Sequence, residues 1–275
     1  MNQQSSSDAL IQAAADAIRT SDALLIGAGA GMGVDSGLPD FRGPEGFWKA
    51  YPPFRGRAFS EMSTPHWFRT DPALAWGFFG HRMNLYRSAI PHRGFEILRR
   101  WGQGRPLGSF VFTSNVDGQF QKAGFLEDEV VERHGSIHYL QCTQGCGIGI
   151  WTSRDVQVDV DETTIRARSE LPACPRCGAV ARPNILMFND WVWDEARWSE
   201  QDIRYTAWLE RVAGRLLVAV ELGAGLGVPT VRDECDARGQ ILIRVNPREA
   251  GTPAGGISLS LGALEALEAI DALIP

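Results

Sequence analysis

Short apolar runs alternate along the chain with longer segments whose apolar residues recur at helical spacing. Each run is a few residues long and ends in glycine or polar residues, which predicts buried strands. The predicted strands are residues 23–26, 110–112, 130–132, 184–188, 216–222 and 241–245. The predicted helices are a first one capped by Ser7 or Asp8, followed by residues 94–101, 193–212 and 260–273.

Strands that alternate with helices favour an α/β fold in which helices cover both faces of a parallel sheet. Two segments interrupt the alternation. Residues 44–87 are rich in proline, tryptophan, phenylalanine and arginine and predict a mostly helical insert, whereas residues 138–183 carry four cysteines in an irregular polar stretch. We therefore predict a Rossmann-like domain built from residues 1–43, 88–137 and 184–275, and a small domain built from the two inserts.

The composition narrows the class of protein. The 275 residues are 44 % hydrophobic and 22 % charged, which is ordinary for a chain with a packed core, and the net charge of −6 gives no sign of the basic face that nucleic acids need. No apolar run reaches the ~18 residues that a membrane span requires, and residues 1–7 lack the pattern of a secretion signal. The expected location is the cytoplasm, without a nucleic-acid or membrane partner.

Four of the five cysteines form two close pairs. In a chain without an export signal, this indicates a metal or catalysis rather than disulfides. Cys142 and Cys146 have three residues between them, and Cys174 and Cys177 have two, which suits one structural zinc whose four thiolates leave no position open for catalysis. The alternative is four buried reduced thiols. Cys235 is left over and is predicted to be an ordinary thiol.

Small residues follow the first predicted strand, in the run Gly29-Ala30-Gly31-Met32-Gly33. Such residues let the backbone approach a pyrophosphate closely, and the N–H groups of the next helical turn can hold its phosphates. A flexible turn would explain the same glycines.

Polar residues follow two further strands. Asn115 and Asp117 come after the strand at 110–112, where ligands of parallel sheets bind, although either residue would also cap a helix. His134 follows the strand at 130–132 and has the right chemistry for a general base near neutral pH, although a lone histidine is more often structural. His138 is given no role.

Taken together, these motifs resemble the sirtuin family. Residues 29–43, with Ser36-Gly37-Leu38-Pro39-Asp40-Phe41-Arg42-Gly43, are similar to its cofactor-binding loop, and 113–118 with Ala123-Gly124 are similar to its nicotinamide pocket. His134-Gly135, residues 182–188, residues 222–225 and Val245-Asn246 resemble its remaining motifs. The resemblance keeps the family's order and covers nearly the whole chain.

The resemblance implies an NAD-dependent protein lysine deacylase that acts on an acylated protein or peptide and uses one structural zinc. In that interpretation His134 is the base, Asn115 lies at the nicotinamide ribose and is counted as catalytic, and Asp117 binds the carboxamide. The implied NAD contacts are Gly29, Ala30, Gly31, Met32, Asp40, Phe41, Arg42, Ser114, Asn115, Asp117, Gly223, Gly225 and Asn246.

Several positions depart from the family pattern. Gly33 replaces a serine, Ser114 replaces a glutamine, Gln119-Phe120 replaces Leu-His, Gly223-Ala224-Gly225 lacks a Thr-Ser pair, and Phe188-Asn189-Asp190 replaces Phe-Gly-Glu beside the peptide groove. These departures leave two alternatives open: NAD hydrolysis or ADP-ribosyl transfer on the same fold, and a non-catalytic NAD-sensing module.

One stretch of the sequence bears on which acyl group the substrate lysine carries. Residues 76–82 resemble the region where desuccinylase-type sirtuins carry a tyrosine and an arginine three residues apart. Here Phe79 takes the tyrosine position and Arg82 remains, so we expect neutral acyl groups to be preferred over succinyl.

Overall fold

A computed structural model describes residues 3–40 and 43–274. Its helices are α1 (Gln3–Thr20), α2 (Gly43–Ala50), α3 (Phe59–Met62), α4 (His66–Thr70), α5 (Pro72–Ser88), α6 (Arg93–Gln103), α7 (Gln119–Lys122), α8 (Ala196–Val212), α9 (Thr230–Arg238) and α10 (Ala263–Asp271). Its strands are β1 (Ala23–Ala28), β2 (Ser109–Thr113), β3 (Val130–Glu132), β4 (Gly135–Cys142), β5 (Ile150–Thr152), β6 (Val160–Asp161), β7 (Arg166–Ala167), β8 (Ala181–Ile185), β9 (Leu217–Leu222), β10 (Ile241–Val245) and β11 (Ile257–Leu259). The 3₁₀ turns are Ala30–Ser36, Pro52–Phe54 and Glu127–Glu129.

A six-stranded parallel sheet with the strand order β11-β10-β9-β1-β2-β3 forms the centre of the fold. The chain builds outward from β1 in one direction, through β2 and β3, and later in the other, through β9, β10 and β11. This order has its topological switch point between β1 and β9, as in Rossmann-type sheets. The predicted α/β fold with a Rossmann-like parallel sheet is confirmed.

Helices cover both faces of this sheet because its strands are apolar on both sides. One core packs α1, α6 and α10 against the sheet, with Ile18, Phe95 and Leu267 among its fully buried members. The other packs α8 and α9 against the opposite face, through Trp208 and Cys235. Every residue of β1 and β9 is buried, which explains why these strands read as continuous apolar runs.

A third core lies outside the large sheet. The helical segment from α2 to α5 contributes stacked and edge-on aromatic rings, including Phe47, Tyr51 and Phe78. These rings pack with Ile137 and Ile185 of a small antiparallel sheet in the order β5-β4-β8. The expectation of a mostly helical insert at 44–87 agrees with these helices.

Some elements differ from the sequence-based expectation. The strand expected at 184–188 lies at Ala181–Ile185 and pairs antiparallel with β4. Its position was missed because pairing with a strand far away in the sequence leaves no local pattern. Helix α9 was not predicted, since its sequence is mostly charged and buries little more than Val231 and Cys235. Among the described residues, no helix combines the length and the apolar character that crossing a bilayer would take.

Candidate functional site

Neighbouring strands of the large sheet end at the same level. In the strand register, Val245 lies opposite Leu222, Leu222 opposite Ala28, Ala28 opposite Thr113, and Thr113 opposite Glu132. The next residues therefore form one edge, which we call the carboxyl rim. The rim contains Gly29, Ser114, Gly223 and Asn246, each directly after its strand, and His134, two residues after the end of β3. These residues belong to separate motifs of the sequence, and the sheet brings them to the edge where α/β proteins bind ligands.

The glycines of the rim are required by backbone contacts at the switch point. The Gly31 N–H donates to the Gly223 carbonyl at 3.0 Å, and a Cβ on Gly31 would lie 2.7 Å from the Gly223 Cα. A Cβ on Gly29 would lie 2.7 Å from the Ala224 Cα, and Gly223 itself has a positive φ of 60°. Ala30 and Met32 belong to the 3₁₀ turn that follows, with the Met32 side chain fully buried, and Gly225 is partly exposed. The loops after β1 and β9 thus pack backbone against backbone, which keeps side chains away from the switch point.

Asn115 ties the ends of two strands together. Its Nδ2 donates to the Gly29 carbonyl at 2.9 Å, and its backbone N–H donates to the Thr113 Oγ1 at 3.0 Å. The neighbouring Ser114 N–H donates to the Ala28 carbonyl at 3.2 Å. These bonds fix the Asn115 side chain on the rim beside the glycine turn.

The carboxyl group of Asp117 has a raised pKa. Its side chain accepts a hydrogen bond from the Gln119 N–H at 2.9 Å, and the residue is 9 % exposed. Burial raises the pKa of the Asp117 carboxyl to about 6, the Glu132 carboxylate adds to this rise, and the Gln119 N–H and Arg82 oppose it. Asp117 therefore changes charge close to physiological pH, which is characteristic of functional sites.

His134 is partly buried at the end of β3. Burial lowers the pKa of its imidazole to about 4, the Arg133 charge lowers it further, and a hydrogen bond to the Ser114 backbone opposes both. The ring is therefore neutral at pH 7 and free of the proton that would stop it from acting as a base. The His134 carbonyl accepts the Leu186 N–H at 2.9 Å, which joins the rim to the segment after β8.

Two of the predicted NAD contacts, Asn246 and Asp40, form hydrogen bonds with residues of the loops after β9 and β10. The Asn246 Nδ2 donates to the Ala224 carbonyl at 2.8 Å, and its Oδ1 accepts the N–H groups of Arg248 and Glu249, so its buried side chain fixes the loops after β9 and β10. Asp40 accepts a hydrogen bond from the Arg248 Nη2 at 2.7 Å. The predicted contacts Phe41 and Arg42 lie outside the described residues.

Two residues at this edge, His92 and Arg248, were not predicted from the sequence. The His92 Nε2 lies 2.8 Å from the Met32 carbonyl and its N–H donates to the Ser36 Oγ, so His92 supports the turn after β1. Arg248 links the loop after β10 to Asp40. Neither residue belongs to a recognisable spacing, and only the tertiary contacts reveal them.

A rigid turn follows β8 at residues 187–192. The Arg182 guanidinium pairs with the Asp190 carboxylate through both oxygens, and the two side chains are 1 % and 0 % exposed. Asp190 also accepts the N–H groups of Met187 and Val192 at 3.3 Å. Asn189 adopts a positive φ of 56°, and Trp191 points outward with 94 % of its surface exposed. A buried ion pair therefore holds this turn, which carries an exposed aromatic side chain and begins directly after Leu186.

Arg82, the residue considered for acyl selection, is buried in the aromatic core. Its Nε and Nη2 donate to the Tyr86 hydroxyl at 3.1 and 3.0 Å. The guanidinium also lies over the rings of Phe59, Phe78 and Phe79 at 5.4–5.6 Å. A hydroxyl group is therefore present next to Arg82, although Phe79 lacks one. It belongs to Tyr86, four residues after Arg82 on α5, and it accepts the hydrogen bonds of Arg82.

The four paired cysteines converge in space. The Sγ atoms of Cys142, Cys146, Cys174 and Cys177 all lie within 4.8 Å of one another, with separations of 3.6 Å between Cys142 and Cys177 and 3.5 Å between Cys146 and Cys174. Four thiolates around one zinc at 2.3 Å would be about 3.8 Å apart, so the cluster has the size and donor set of a structural zinc site. Cys235 lies away from it, buried between β1 and α9.

Comparisons with known proteins agree on one family. The sequence profile described as the Sir2 family matches residues 29–209. An NAD-dependent protein deacylase 2 from Pyrobaculum aerophilum is 32 % identical over 92 % of this chain and 91 % of its own length. An NAD-dependent protein deacylase 1 from Caldanaerobacter subterraneus is 31 % identical over 80 % of this chain and 81 % of its own length.

Solved structures share the fold. A Sir2 homologue in complex with NAD superposes with a TM-score of 0.71 at 22 % identity, and the match covers 95 % of this chain and 93 % of that structure.

Proposed function

The chain belongs to the Sir2 family, and on that premise we propose that it is an NAD-dependent protein lysine deacylase that releases nicotinamide and O-acyl-ADP-ribose. The observation that carries this proposal is the carboxyl rim. There the small-residue turn after β1, the amide of Asn115, the carboxyl of Asp117 and the neutral imidazole of His134 follow three adjacent strands that end in register.

Each rim residue has a distinct proposed task. When bound, NAD supplies a ribose carbon from which nicotinamide can leave. Asp117, in its ionised form, accepts the carboxamide N–H, and Asn115 orients the nicotinamide ribose. The acyl oxygen of the substrate lysine attacks that ribose carbon from the peptide side as nicotinamide leaves. His134 later takes a proton from a ribose hydroxyl, which attacks the acyl carbon; one water molecule adds, and the free lysine is released while the acyl group stays on ADP-ribose.

The backbone of the rim accommodates the phosphates. With side chains absent at Gly29, Gly31 and Gly223, N–H groups of the 3₁₀ turn Ala30–Ser36 can approach an anion closely. Ala30, Met32, Gly225, Ser114, Asp40 and Asn246 complete the proposed NAD contacts, together with Phe41 and Arg42.

Zinc holds the small sheet in this proposal and takes no part in the chemistry. Its ligands are Cys142, Cys146, Cys174 and Cys177, and four thiolates leave no coordination position for a substrate.

A second candidate function is NAD hydrolysis or ADP-ribosyl transfer. The observation that favours it is the turn at residues 187–192, where Asp190 is fully buried in its pair with Arg182 and does not face a peptide. A change at the peptide side leaves room for water or another nucleophile to attack NAD.

Mass spectrometry of the products of NAD, with and without an acetyl-lysine peptide, separates these functions. We expect nicotinamide and O-acetyl-ADP-ribose, formed only when peptide is present. Free ADP-ribose without peptide would establish the hydrolase, and NAD that stays intact in both reactions would indicate a non-catalytic NAD-sensing module.

A further inference from the structure

A cavity lined by residues other than those of the carboxyl rim adjoins the Asp117 segment. It has a volume of about 330 Å³ and is bounded by the end of α5, the start of α7, strands β4 and β5, and the first turn of α8. Among the residues that line it are Arg87, Arg154, Arg197, Glu127, Ser136 and His138. Three arginines from three different parts of the chain therefore meet at one concave surface.

Two of these arginines have no acidic partner within the part of the chain that the structure describes. Arg87 donates only to neutral oxygens, at 2.5 Å to the Val156 carbonyl and at 2.6 and 3.1 Å to the carbonyl and hydroxyl of Ser153. Burial lowers the pKa of Arg87, as expected for a charge that is removed from water without a counter-ion. The guanidinium of the exposed Arg154 forms no hydrogen bond or ion pair with the described residues.

The third arginine leaves a buried donor without an acceptor. The Nη2 of Arg197 pairs with Glu132 and, at 3.2 Å, with Glu127. Its Nη1 is buried and has no partner among the described residues. The same guanidinium lies 4.2 Å from the centre of the Tyr139 ring, which also lines the cavity, so Arg197 is held in the cavity wall. Glu127 is the acidic group in the cavity lining, and its side chain is 58 % exposed, which leaves it free to turn towards solvent.

The cavity is directly connected to the rim. The His138 Nε2 donates to the Asp117 carbonyl at 2.9 Å, and burial lowers the pKa of His138, so the ring is neutral when it does so. A Cβ on Gly118 would lie 2.6 Å from the His138 ring, which shows how tightly the two segments pack. A ligand in this cavity would contact the same residues that hold the backbone of Asp117.

We propose that this cavity binds the phosphate group of a small molecule, either inorganic phosphate or a phosphomonoester. Hydrogen bonds between guanidinium groups and phosphate are charge-assisted and short, and arginine provides several donors in a fixed plane. Ser136 and Ser153 also line the cavity, and the Ser153 hydroxyl, which donates to the Ile137 carbonyl at 3.2 Å, helps to hold Arg87 in place. No step of deacylation requires this site, so the inference goes beyond the proposed function.

Isothermal titration calorimetry of the zinc-loaded protein at constant ionic strength, with and without saturating NAD, tests the proposal. Inorganic phosphate and glycerol 3-phosphate are titrated in separate arms. We expect saturable binding of at least one of them, about tenfold weaker in Arg154→Ala and weaker still in Arg154→Glu. Arg211→Ala, which removes an exposed arginine from the last turn of α8, is the matched control and should bind like the wild type.

Three results would overturn the proposal: no saturable binding to the wild type, equal binding by the wild type and both Arg154 variants, or binding that disappears once NAD is present. The last result would place the phosphate in the cofactor cleft. None of these measurements depends on deacylation, so this proposal and the proposed function can fail separately.

Discussion

The carboxyl rim and the four-cysteine cluster are held in place by different forces. The rim lies at the end of strands that are buried on both faces and packed against two apolar cores. Cys142 ends strand β4, but the other three cysteines of the cluster lie in loops, one of which has left-handed glycines at 145, 147 and 149, and Cys177 is exposed. The fold therefore supports the rim independently of its reactive side chains, whereas the loops around the cluster depend on the ligands themselves.

The largest effect is expected when a cysteine of the cluster is removed. Cys174→Ala should lose zinc and unfold the β5-β4-β8 sheet, because binding of a structural zinc contributes about 10–16 kcal/mol of apparent folding free energy in small metal-dependent domains. Elemental analysis reports the metal, and hydrogen exchange should show loss of protection in β4 and β8 while β1 stays protected.

Cys235→Ala is the control for this comparison, because Cys235 is fully buried against the large sheet. It should keep one zinc per chain and show only a modest loss of stability. Purified wild-type protein without zinc would refute the distinction between the two regions.

On the rim, removal of the proposed base should strongly slow deacylation and leave the fold intact. His134→Ala should slow lysine release by about 10²–10⁴-fold, which is the usual contribution of a positioned base. NAD binding and the peptide-dependent exchange of labelled nicotinamide into NAD should persist, since nicotinamide leaves before the base acts. His66→Ala, at an exposed histidine, is the matched control. Near-normal deacylation by the His134 variant would make that residue structural.

A smaller effect is expected at Asp117. Asp117→Asn should weaken productive NAD binding by about 10–100-fold, because a hydrogen bond to a charged acceptor is lost. Asp155→Asn, at an exposed aspartate outside the rim, should have no effect. NAD titrations of equal affinity for the two variants would contradict the assignment.

The pH dependence of NAD binding gives Asp117 a second test. Ionised Asp117 is the acceptor, so productive binding should rise as pH increases through about 6, and Asp117→Asn should lose this rise. His134, with a pKa of about 4, is already neutral in that range and contributes nothing to it. The stability of the fold depends on pH in the opposite direction from NAD binding. Because the pKa of Asp117 is raised in the folded state, its protonated form favours folding, and this contribution is lost as pH rises through about 6.

The smallest effect concerns the acyl group. Acetyl-lysine peptides should be turned over more efficiently than succinyl-lysine peptides, by on the order of tenfold, because one arginine that already bonds Tyr86 binds a carboxylate less well than a paired site. Phe79→Tyr should narrow the difference, and Phe68→Tyr, in the neighbouring buried ring, should not. Highest catalytic efficiency with succinyl-lysine would contradict this expectation.

The strands of the large sheet were predictable because burial on both faces produces continuous apolar runs. The four cysteines were predictable because their ligand spacing is local. The pair of Arg182 with Asp190, the contact of His92 with Met32 and the pairing of β4 with β8 were not, since each joins positions that share no periodic pattern. The predicted domain boundaries at 137/138 and 183/184 stay a prediction.

The ion pair of Arg182 with Asp190 also restricts how this chain can vary. Loss of one partner leaves the other charged and buried, which typically destabilises a protein by about 3–5 kcal/mol, whereas joint replacement by apolar residues is often neutral. Positions 182 and 190 should therefore be epistatic, and viable variants should change both together. Trp191 carries no such constraint, because its side chain is almost entirely in solvent. In a population of diverging sequences, the surface of this turn is therefore free to change quickly, while the pair beneath it changes only in a coordinated step.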